Sequence, residues 1–380
     1  MMNIFFLRSN PISPDPRVEK EAFSLMKAGF SVEALGWDRT GELPERENRE
    51  GIIIHRLPIK AAFGSGMRNL PALLHWQWGL LGRLLAKRKD YEIIHACDFD
   101  TVLPALWMKF FHKKIVIYDI FDFYADHLRS TPDFIKWLIR KVDLWVMGKA
   151  DGVILVDDSR KVQIQQAKVK NLQVIYNTPK DYQPEISKGT KQEESRLKLV
   201  FVGMLQVERG LLELLMVLKD NPQWHLDLAG FGGDEDRILA VSSSLKNVSW
   251  HGRISYQKAL ELSHKADVLI ATYDPSIPNH RYSSPNKIFE AMMLGKPVIV
   301  ARNTNMDRII EKYDCGIVVD YGDQEALSGA LSRLADDVEL RTRLGKNARA
   351  AYEDEYSWKK MEDRLLELYR TVIDAKSLKK

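Results

Sequence analysis

Short apolar runs alternate with longer amphipathic stretches along the whole chain. The runs are rich in β-branched residues, which predicts strands, and the stretches between them repeat their apolar residues with helical spacing. Residues 17–27 show that spacing, and Gly29 follows as a helix terminator. Alternating strands and helices predict βαβ units and a mainly parallel sheet. The predicted strands are 3–7, 32–36, 52–56, 92–96, 115–119, 152–156, 173–176, 198–203, 225–230, 248–252, 267–271, 297–301 and 316–320.

A polar stretch at residues 184–196 divides this pattern, and it offers so little to bury that we predict an interdomain linker. The sequence therefore predicts an α/β protein with two doubly wound domains, over residues 1–183 and 197–357. A C-terminal helix over residues 358–380 is expected to pack back toward the first domain. Ligands of such sheets bind beyond the carboxyl ends of the strands, so we expect the chemistry in a cleft between the domains.

Composition restricts the class of protein. Hydrophobic residues make up 45% and charged residues 28% of the chain, as is usual for folded soluble proteins. Cys97 and Cys315 lie in opposite halves, which excludes a disulfide framework and fits a reducing compartment. No apolar run approaches the roughly 20 residues of a membrane-spanning helix, and the N-terminus lacks the pattern of a signal peptide. We therefore expect a cytoplasmic protein.

The segment that begins at Ser284 is the most informative for chemistry. Ser284 is predicted as the N-cap and Pro285 as the first residue of a helix that ends at Gly295. The free N–H groups of its first turn, the helix dipole and the charge of Lys287 favour a bound diphosphate. Glu290 lies one turn deeper, where its carboxylate can accept hydrogen bonds from ribose hydroxyls. A surface helix with a Lys–Glu pair is the alternative interpretation.

A second segment joins a strand to a helix through a short loop. Gly203 ends the predicted strand and permits close approach of the backbone to a ligand. Arg209 stands near the start of the following helix, where its planar guanidinium can bind two phosphate oxygens. A cation at a helix start opposes the dipole, which favours a functional role over a solvated arginine.

Ordered short motifs cover most of the chain. In the C-terminal half they are Phe-Val-Gly at 201–203, Glu-Arg-Gly at 208–210, Ala-Gly-Phe-Gly-Gly-Asp at 229–234, His-Gly-Arg-Ile-Ser-Tyr at 251–256 and Ser-Pro-Asn-Lys-Ile-Phe-Glu-Ala-Met at 284–292; N-terminal fragments at 15–22, 93–101 and 117–122 fit the same series. This order resembles family-4 glycosyltransferases with the GT-B fold. The resemblance implies two Rossmann-like domains that face a central cleft. It also implies a retaining, hexosyltransferase-type enzyme that uses a nucleotide-sugar and needs no metal or other cofactor.

The resemblance also assigns roles to matching residues. It places the donor diphosphate on Arg209 and Lys287, the ribose on Glu290, and the base at Arg253 and Ile254, largely through the backbone. The donor-binding set is then Gly203, Arg209, Arg253, Ile254, Ser284, Asn286, Lys287 and Glu290, and the catalytic set is Asp122, Arg209 and Lys287. In retaining transfer without a covalent intermediate, the leaving diphosphate can accept the acceptor's proton, and the protein supplies cations and positioning.

Three positions depart from the family pattern. Met204 stands where an arginine often follows the strand glycine, which leaves the phosphates to Arg209 and Lys287. The donor segment lacks the first of two common glutamates and has Ser283 in that region, so sugar contacts are expected from Ser283, Ser284 or backbone amides. In the N-terminal half, Phe121 replaces a histidine common before an acidic residue. Asp119, Asp122 or His127 could take over part of its role, and Arg17 and Asp98 are further acceptor-side candidates.

A metal site is a competing interpretation of the N-terminal half. Asp98-Phe99-Asp100 matches the short DxD pattern by which another glycosyltransferase fold binds a metal–diphosphate. His95 and Cys97 lie close by in sequence, but alternation along a strand is expected to separate these side chains. We therefore predict no metal ligands.

Residues 61–89 raise the question of a membrane. They are apolar around much of a helix and end in the basic cluster 87–89. Residues 1–180 hold 27 Lys and Arg against 21 Asp and Glu, a net charge of +6, and six of the nine tryptophans, which favours an anionic partner. Docking on anionic lipid at the inner face of the cell membrane is the functional hypothesis, and a core helix with a solvated end is the alternative. Without a nucleic-acid-binding motif, we expect no nucleic acid as partner.

Together these features predict a glycosyltransferase. The expected reaction moves a sugar from a UDP- or GDP-sugar to a glycan or lipid-linked acceptor in cell-surface polysaccharide or glycolipid synthesis. One alternative is a catalytically silent, sugar-nucleotide-binding partner of another transferase, which Met204 and Phe121 keep open. The other is a GT-B sugar-nucleotide epimerase, which the motif order disfavours.

Overall fold

The structure of the protein is a computed structural model that describes residues 2–62, 69–128, 131–182, 197–282 and 284–378, with the backbone alone for His127. The chain forms two compact units. The first comprises Met1–Tyr176 together with Met361–Lys380, and the second comprises Asn177–Lys360. The predicted linker at 184–196 lies outside the described residues. The division of the sequence into domains therefore stays a prediction at that point.

The first unit is built on an eight-stranded sheet in the order β3-β4-β2-β1-β5-β6-β7-β8. All its pairings are parallel except that of β3 with β4. The strands are β1 Asn3–Arg8, β2 Ser31–Asp38, β3 Arg46–Arg49, β4 Ile52–Pro58, β5 Ile93–Cys97, β6 Ile115–Ile120, β7 Gly152–Leu155 and β8 Leu172–Val174. The sequence pattern missed only β3 among these strands, because this edge strand, Arg-Glu-Asn-Arg, has no apolar side chain to mark it.

Helices cover both faces of this sheet. They are α1 Pro16–Lys27, α2 Leu70–Ala86, α3 Phe99–His112, α4 Tyr124–His127 and α5 Asp133–Lys149, with the C-terminal α13 Trp358–Ser377. Buried side chains of α2, α3 and α5 share one core with Phe5 and Leu7 of β1. Phe6 points to the opposite face, where it stacks on His95, and His95 in turn meets Tyr369 of α13. Residues of α13 from Met361 onward thus belong to the first unit.

The second unit is built on a six-stranded, wholly parallel sheet in the order β11-β10-β9-β12-β13-β14. Its strands are β9 Lys198–Met204, β10 His225–Phe231, β11 Val248–Trp250, β12 Val268–Ala271, β13 Val298–Ala301 and β14 Gly316–Val319. Its helices are α6 Leu211–Asp220, α7 Glu235–Ser242, α8 Tyr256–Lys265, α9 Asn286–Leu294, α10 Met306–Tyr313, α11 Gln324–Asp336 and α12 Val338–Ala351. All six strands occur where the alternating pattern predicts them, within one or two residues at each end.

None of the helices in the described ranges is both long and apolar enough to cross a bilayer.

Candidate active site

Two glycines lie near the carboxyl ends of neighbouring strands in the second unit's sheet. Gly203 near the end of β9 has φ 153°, and Gly230 near the end of β10 has φ 147°. A Cβ on Gly230 would lie 1.8 Å from the carbonyl oxygen of Gly203, so the two strands approach too closely there for any side chain. A Cβ on Gly203 would lie 3.1 Å from Cε of Lys287. Gly230 therefore allows the close approach of the two strands, and Gly203 leaves space for Lys287.

The loop that carries Arg209 is held by several hydrogen bonds. Val207 N donates to the Asp234 carboxylate (3.0 Å), and the Thr272 hydroxyl donates to the carbonyl of Arg209 (3.2 Å). Gly210 follows in the left-handed region with φ 68°, and a Cβ there would lie 2.4 Å from the Thr272 hydroxyl. Helix α6 begins directly after Gly210. The free amides of its first turn therefore follow Arg209 closely in the chain.

Tyr273 brings the two predicted phosphate-binding cations together. The guanidinium carbon of Arg209 lies 3.9 Å from the centre of its ring, and the ammonium of Lys287 lies 5.9 Å from the same centre. The Lys287 ammonium also lies 3.2 Å from the ring centre of Phe201. Burial, followed by repulsion from Arg209, lowers the pKa of Lys287 well below its usual value, although the charge of Glu290 opposes this shift. The charge of Glu290 therefore offsets only part of the repulsion between Arg209 and Lys287.

Glu290 lies on α9 one turn beyond Lys287, as the helix pattern predicts. The phenol of Tyr256, at the start of α8, shares a hydrogen bond with its carboxylate. Burial, followed by the Glu290 charge and this hydrogen bond, raises the pKa of Tyr256. The Tyr256 ring is 48% exposed, which leaves the pair open to solvent. Tyr256 was not among the predicted site residues, and its position inside the 251–256 motif was the available signal.

The start of α9 differs from the prediction. The helix begins at Asn286, and Pro285, with ψ 145°, occupies the N-cap position without a capping side-chain hydrogen bond. Ser284 is therefore not the N-cap, because the cap is one residue later and a proline ring already fixes the backbone angle that this position needs. The predicted end at Gly295 is confirmed, with φ 64°. Ser283, the other serine of this segment, lies outside the described residues.

Two buried polar atoms near this edge lack a hydrogen-bond partner among the described residues. They are Nε of Arg209 and Oγ of Ser284. A buried donor or acceptor without a partner is costly, so such atoms are usually satisfied by something else, such as a bound ligand. Both residues belong to the predicted donor-binding set.

A neighbouring corner holds the predicted base-binding residues. Arg253 lies over the ring of Phe231, with its guanidinium carbon 4.4 Å from the ring centre. Phe231 is 47% exposed at the end of β10. The carbonyl of Gly252 accepts from Gly230 N (2.9 Å), which fixes the backbone that leads into Arg253 and Ile254. The Arg253 guanidinium and the Phe231 ring together present a planar surface. Ile254 follows Arg253 in the same loop.

Two acidic candidates of the first unit, Asp98 and Asp122, lie beyond the carboxyl ends of β5 and β6. Asp98 forms an ion pair with Arg8 and accepts a hydrogen bond from Phe121 N (2.8 Å). Arg8 in turn lies over the Phe121 ring, 4.0 Å from its centre. Burial, opposed by the Arg8 charge, raises the pKa of Asp98 to about 6. Asp98 therefore anchors the loop that leads to Asp122.

Asp98 also adopts an unusual backbone conformation. Its angles of φ 66° and ψ 168° lie in a region that is essentially restricted to glycine. Such strain costs on the order of 1–3 kcal/mol and persists only where the surrounding contacts enforce it. Here the Asp98 amide donates to the carbonyl of Asp119 (2.8 Å), while its carboxylate holds Phe121. The strained backbone places the Asp98 carboxylate between the ends of β5 and β6.

Asp122 is the most accessible of these carboxylates. It forms an ion pair with Arg160 (2.6 Å), and 41% of its side chain is exposed. The side chain of Arg160 is buried, at 2% exposure, so the ion pair holds Asp122 from its buried side. His127 ends α4 after this loop, and its side chain lies outside the described part of the structure.

Arg17 and Asp119 form the buried floor of this region. Arg17 donates to both carboxylate oxygens of Asp119, at 2.8 and 3.0 Å, and each residue is at most 2% exposed. They therefore present no accessible atom to an acceptor in this structure. The Arg17 guanidinium carbon lies 4.9 Å from the Phe121 ring centre, so the pair supports the loop above it.

His95, Cys97 and Asp119 bring potential ligand atoms within 4.8 Å of one another. The prediction that strand alternation separates His95 from Cys97 was wrong, because these residues are two apart and point to one face. Arg17 already neutralises Asp119, and the His95 ring donates or accepts through Nδ1 with the Tyr369 hydroxyl (2.8 Å). The cluster is thus an internal network of groups that pair with one another.

Residues 183–351 match the model of the family described as Glycosyl transferases group 1. The capsular polysaccharide biosynthesis glycosyltransferase CapM of Staphylococcus aureus is 22% identical over 369 residues, which cover 92% of either chain. A glycosyltransferase of Methanocaldococcus jannaschii is 22% identical over 242 residues, only 60% of its own length and 60% of this chain. By these matches the chain is similar to group 1 glycosyltransferases.

Comparison with solved structures shows the fold of the chain. Sucrose-phosphate synthase from Thermosynechococcus elongatus superposes with a TM-score of 0.81 at 15% identity, and the alignment covers 99% of this chain and 100% of that one. HepE of Anabaena, in complex with UDP-glucose, gives a TM-score of 0.69 at 15% identity and covers 98% and 100%. The fold is GT-B, with two Rossmann-like units, as the sequence predicts.

Proposed function

We propose that the chain is a retaining, family-4 hexosyltransferase that uses a UDP- or GDP-sugar. The observation that carries this proposal is the pair of mutually repelling cations on one tyrosine ring, Arg209 and Lys287 on Tyr273, beside polar atoms without a partner among the described residues. A diphosphate would supply negative charge to both cations and satisfy Nε of Arg209. HepE of Anabaena has been solved with UDP-glucose, which supports the same ligand class here.

In the proposed binding mode each residue has one task. The diphosphate lies against Arg209, Lys287 and the first-turn amides of α6. Glu290 accepts hydrogen bonds from the ribose, with Tyr256 holding its carboxylate. The base lies against the Arg253 loop. Asn286 and Ser284, at the start of α9, face the sugar or phosphate.

The proposed reaction needs few reactive protein groups. The acceptor hydroxyl oxygen bonds to the anomeric carbon while the bond from that carbon to the leaving phosphate oxygen breaks. The hydroxyl proton passes to the leaving diphosphate, and the sugar keeps its anomeric configuration. Arg209 and Lys287 stabilise the charge that develops on the diphosphate. Asp122, held by Arg160, is the proposed acceptor-orienting carboxylate.

We further propose that the acceptor is a glycan or lipid-linked glycan of a cell-surface polysaccharide or glycolipid. CapM of Staphylococcus aureus, which aligns over 92% of this chain, is named for capsular polysaccharide biosynthesis. The lipopolysaccharide core biosynthesis glycosyltransferase LpsD of Rhizobium meliloti is 24% identical over 174 residues, 45% of this chain and 48% of that protein. Both relatives support this class of acceptor.

Incubation of purified protein with UDP- and GDP-sugars tests the proposal. We expect slow release of UDP or GDP by donor hydrolysis, faster release when a suitable glycan acceptor is added, and an axial or equatorial product linkage that matches the donor by NMR. An inverted linkage would contradict the retaining mechanism. Donor binding with no release over a broad acceptor panel would instead indicate the silent partner. Epimerised free sugar would indicate the epimerase.

A further inference from the structure

One helical layer of the first unit exposes many large apolar side chains. Helix α3 contacts both α2 and α5 on the same face of the sheet. Among the described residues, α1 and α13 on the other face expose none of this kind within their bounds, and Leu378, directly after α13, is the exposed apolar side chain next to them. The exposed large apolar side chains of the α2–α3–α5 layer are Leu70, Leu74, Trp78, Leu103, Phe110, Phe111, Phe134, Trp137, Leu138 and Trp145. So one-sided a distribution marks an interaction surface.

Cations are interleaved with these apolar side chains. Lys141 lies 5.9 Å from the ring centre of Trp137, and Lys149 lies 5.9 Å from that of Trp145. The acidic residues of α5 are Asp133, at the first turn, and Asp143, which is buried and bonded to Tyr118 (2.8 Å). The basic residues on or next to the three helices are Arg83, Lys87, Arg88, Lys89, Lys109, Lys113, Lys136, Arg140, Lys141 and Lys149. Four of these ten residues form ion pairs with acids, namely Lys87, Lys109, Lys136 and Arg140, and basic residues still outnumber acidic ones in the layer. The layer is therefore both apolar and cationic.

A cavity opens beside the exposed aromatic residues of α5. It measures about 300 Å³, and its lining combines Trp137 with the cations Arg140 and Lys141 and with three glutamines, Gln163, Gln165 and Gln166. Amide donors and two cations at the edge of an apolar surface suit a phosphate group whose remainder is apolar.

We propose that the α2–α3–α5 layer docks on an anionic lipid bilayer, with α5 as its main anchor and a lipid phosphate in the α5 cavity. Lysine is depleted at protein–protein interfaces, whereas tryptophan, phenylalanine and lysine together are typical of helices that lie in the lipid interface. This inference deepens the proposed function, since it rests on a membrane-borne acceptor. It also enlarges the predicted contact, residues 61–89, of which 63–68 lie outside the described residues.

Co-sedimentation with phosphatidylcholine vesicles, with and without phosphatidylglycerol, tests the proposal on the full chain. We expect binding to the anionic vesicles that weakens as salt is raised. The triple variant Lys136→Gln, Arg140→Gln, Lys141→Gln should bind roughly 10- to 100-fold more weakly at low salt. The triple variant Phe134→Ser, Trp137→Ser, Leu138→Ser should lose binding at both low and high salt. Vesicles of brominated lipid should quench the tryptophan fluorescence of the wild type.

Matched controls lie in the second unit. The triple change Lys219→Gln, Lys246→Gln, Lys265→Gln removes three exposed charges, and Met216→Ser with Val338→Ser removes two exposed apolar side chains. These variants should bind vesicles as the wild type does. Equal binding by wild type and the α5 variants, or no preference for anionic vesicles, would overturn the proposal. So would a wild-type dimer in sedimentation velocity that the α5 serine variant abolishes, because a second copy would then cover the layer.

Donor binding separates this inference from the proposed function. All α5 variants should keep the wild-type thermal shift with a nucleotide-sugar, since α5 belongs to the first unit and the donor residues belong to the second. Vesicle binding without any donor-induced shift would leave the membrane surface standing and contradict the transferase. A donor-induced shift without vesicle binding would support the donor site and contradict the membrane surface.

Discussion

The ammonium of Lys287 lies 3.2 Å from the centre of the Phe201 ring, under the open backbone of Gly203. A Cβ at position 203 would crowd this side chain, at 3.1 Å from Cε and 3.3 Å from the ammonium of Lys287. The relationship favours a glycine at this position, one residue before the end of β9. It also means that Lys287 is held by aromatic rings and remains available to an anion.

Replacing Gly203 with alanine should therefore disturb Lys287. The new Cβ would lie 3.1 Å from Cε of Lys287, and φ 153° is unfavourable for a side chain. We expect donor affinity to fall by about 10-fold, with a lower melting temperature. Gly233→Ala is the matched control, because a Cβ there meets nothing within 4 Å. Equal donor affinity in the two variants, measured by calorimetry, would contradict this role of Gly203.

Glu290→Ala should weaken binding of ribose-containing ligands selectively. Loss of a hydrogen bond to a charged group typically costs about 1.5–3 kcal/mol, or roughly 10- to 100-fold in affinity. The loss should be large for UDP and small for 2′-deoxy-UDP, because the carboxylate is proposed to contact the ribose hydroxyls. The affinity of Tyr256→Phe for UDP should lie between that of Glu290→Ala and that of the wild type. An equal loss for UDP and 2′-deoxy-UDP in a titration would exclude that contact.

Donor binding should be linked to proton uptake at Lys287. Burial and Arg209 lower the pKa of this lysine in the free protein, and a bound diphosphate would raise it again. Affinity should thus fall as pH rises through the lowered pKa of Lys287. Calorimetry in buffers of different ionisation enthalpy should detect the proton taken up, and Lys287→Arg, whose guanidinium stays charged, should abolish it. Pure pH independence of wild-type binding would refute the linkage.

Glu21 should control how the stability of the protein depends on pH. Burial, followed by the Asp119 charge, raises its pKa to about 8, so the folded state holds a proton that the unfolded state releases. Stability should therefore fall as pH rises from about 4.5 to about 8. Glu21→Gln mimics the protonated form and should be the more stable protein above this range. Denaturant melts that show the same pH slope in both proteins would disprove the assignment.

Much of the fold could be predicted because buried parallel strands are continuous apolar runs. The edge strand Arg46–Arg49 escaped prediction, since its pairing with β4 involves backbone rather than apolar side chains. Lys287 and Glu290 share a helix, so their spacing was readable in sequence. The meeting of Arg209 and Lys287 on Tyr273 depends on the packing of β9 against β12, which no local pattern encodes.

The exposed face of α5 could not be predicted for a related reason. Residues Phe134, Trp137, Leu138 and Trp145 look in sequence like part of an apolar core. Only the structure shows that Leu144, Val146 and Met147 fill the core while those four side chains stay outside. In our proposal the predicted membrane segment at 61–89 is one part of a larger docking surface.

Titration of UDP and GDP into the wild type and Arg209→Ala tests the central claim most directly. If Arg209 binds the diphosphate, one nucleotide should bind the wild type, and the variant should bind it about 10- to 100-fold more weakly. Arg237→Ala, which removes an exposed arginine from α7, should behave as the wild type does. The same affinity in wild type and Arg209→Ala, with both proteins folded, would contradict the donor site described above.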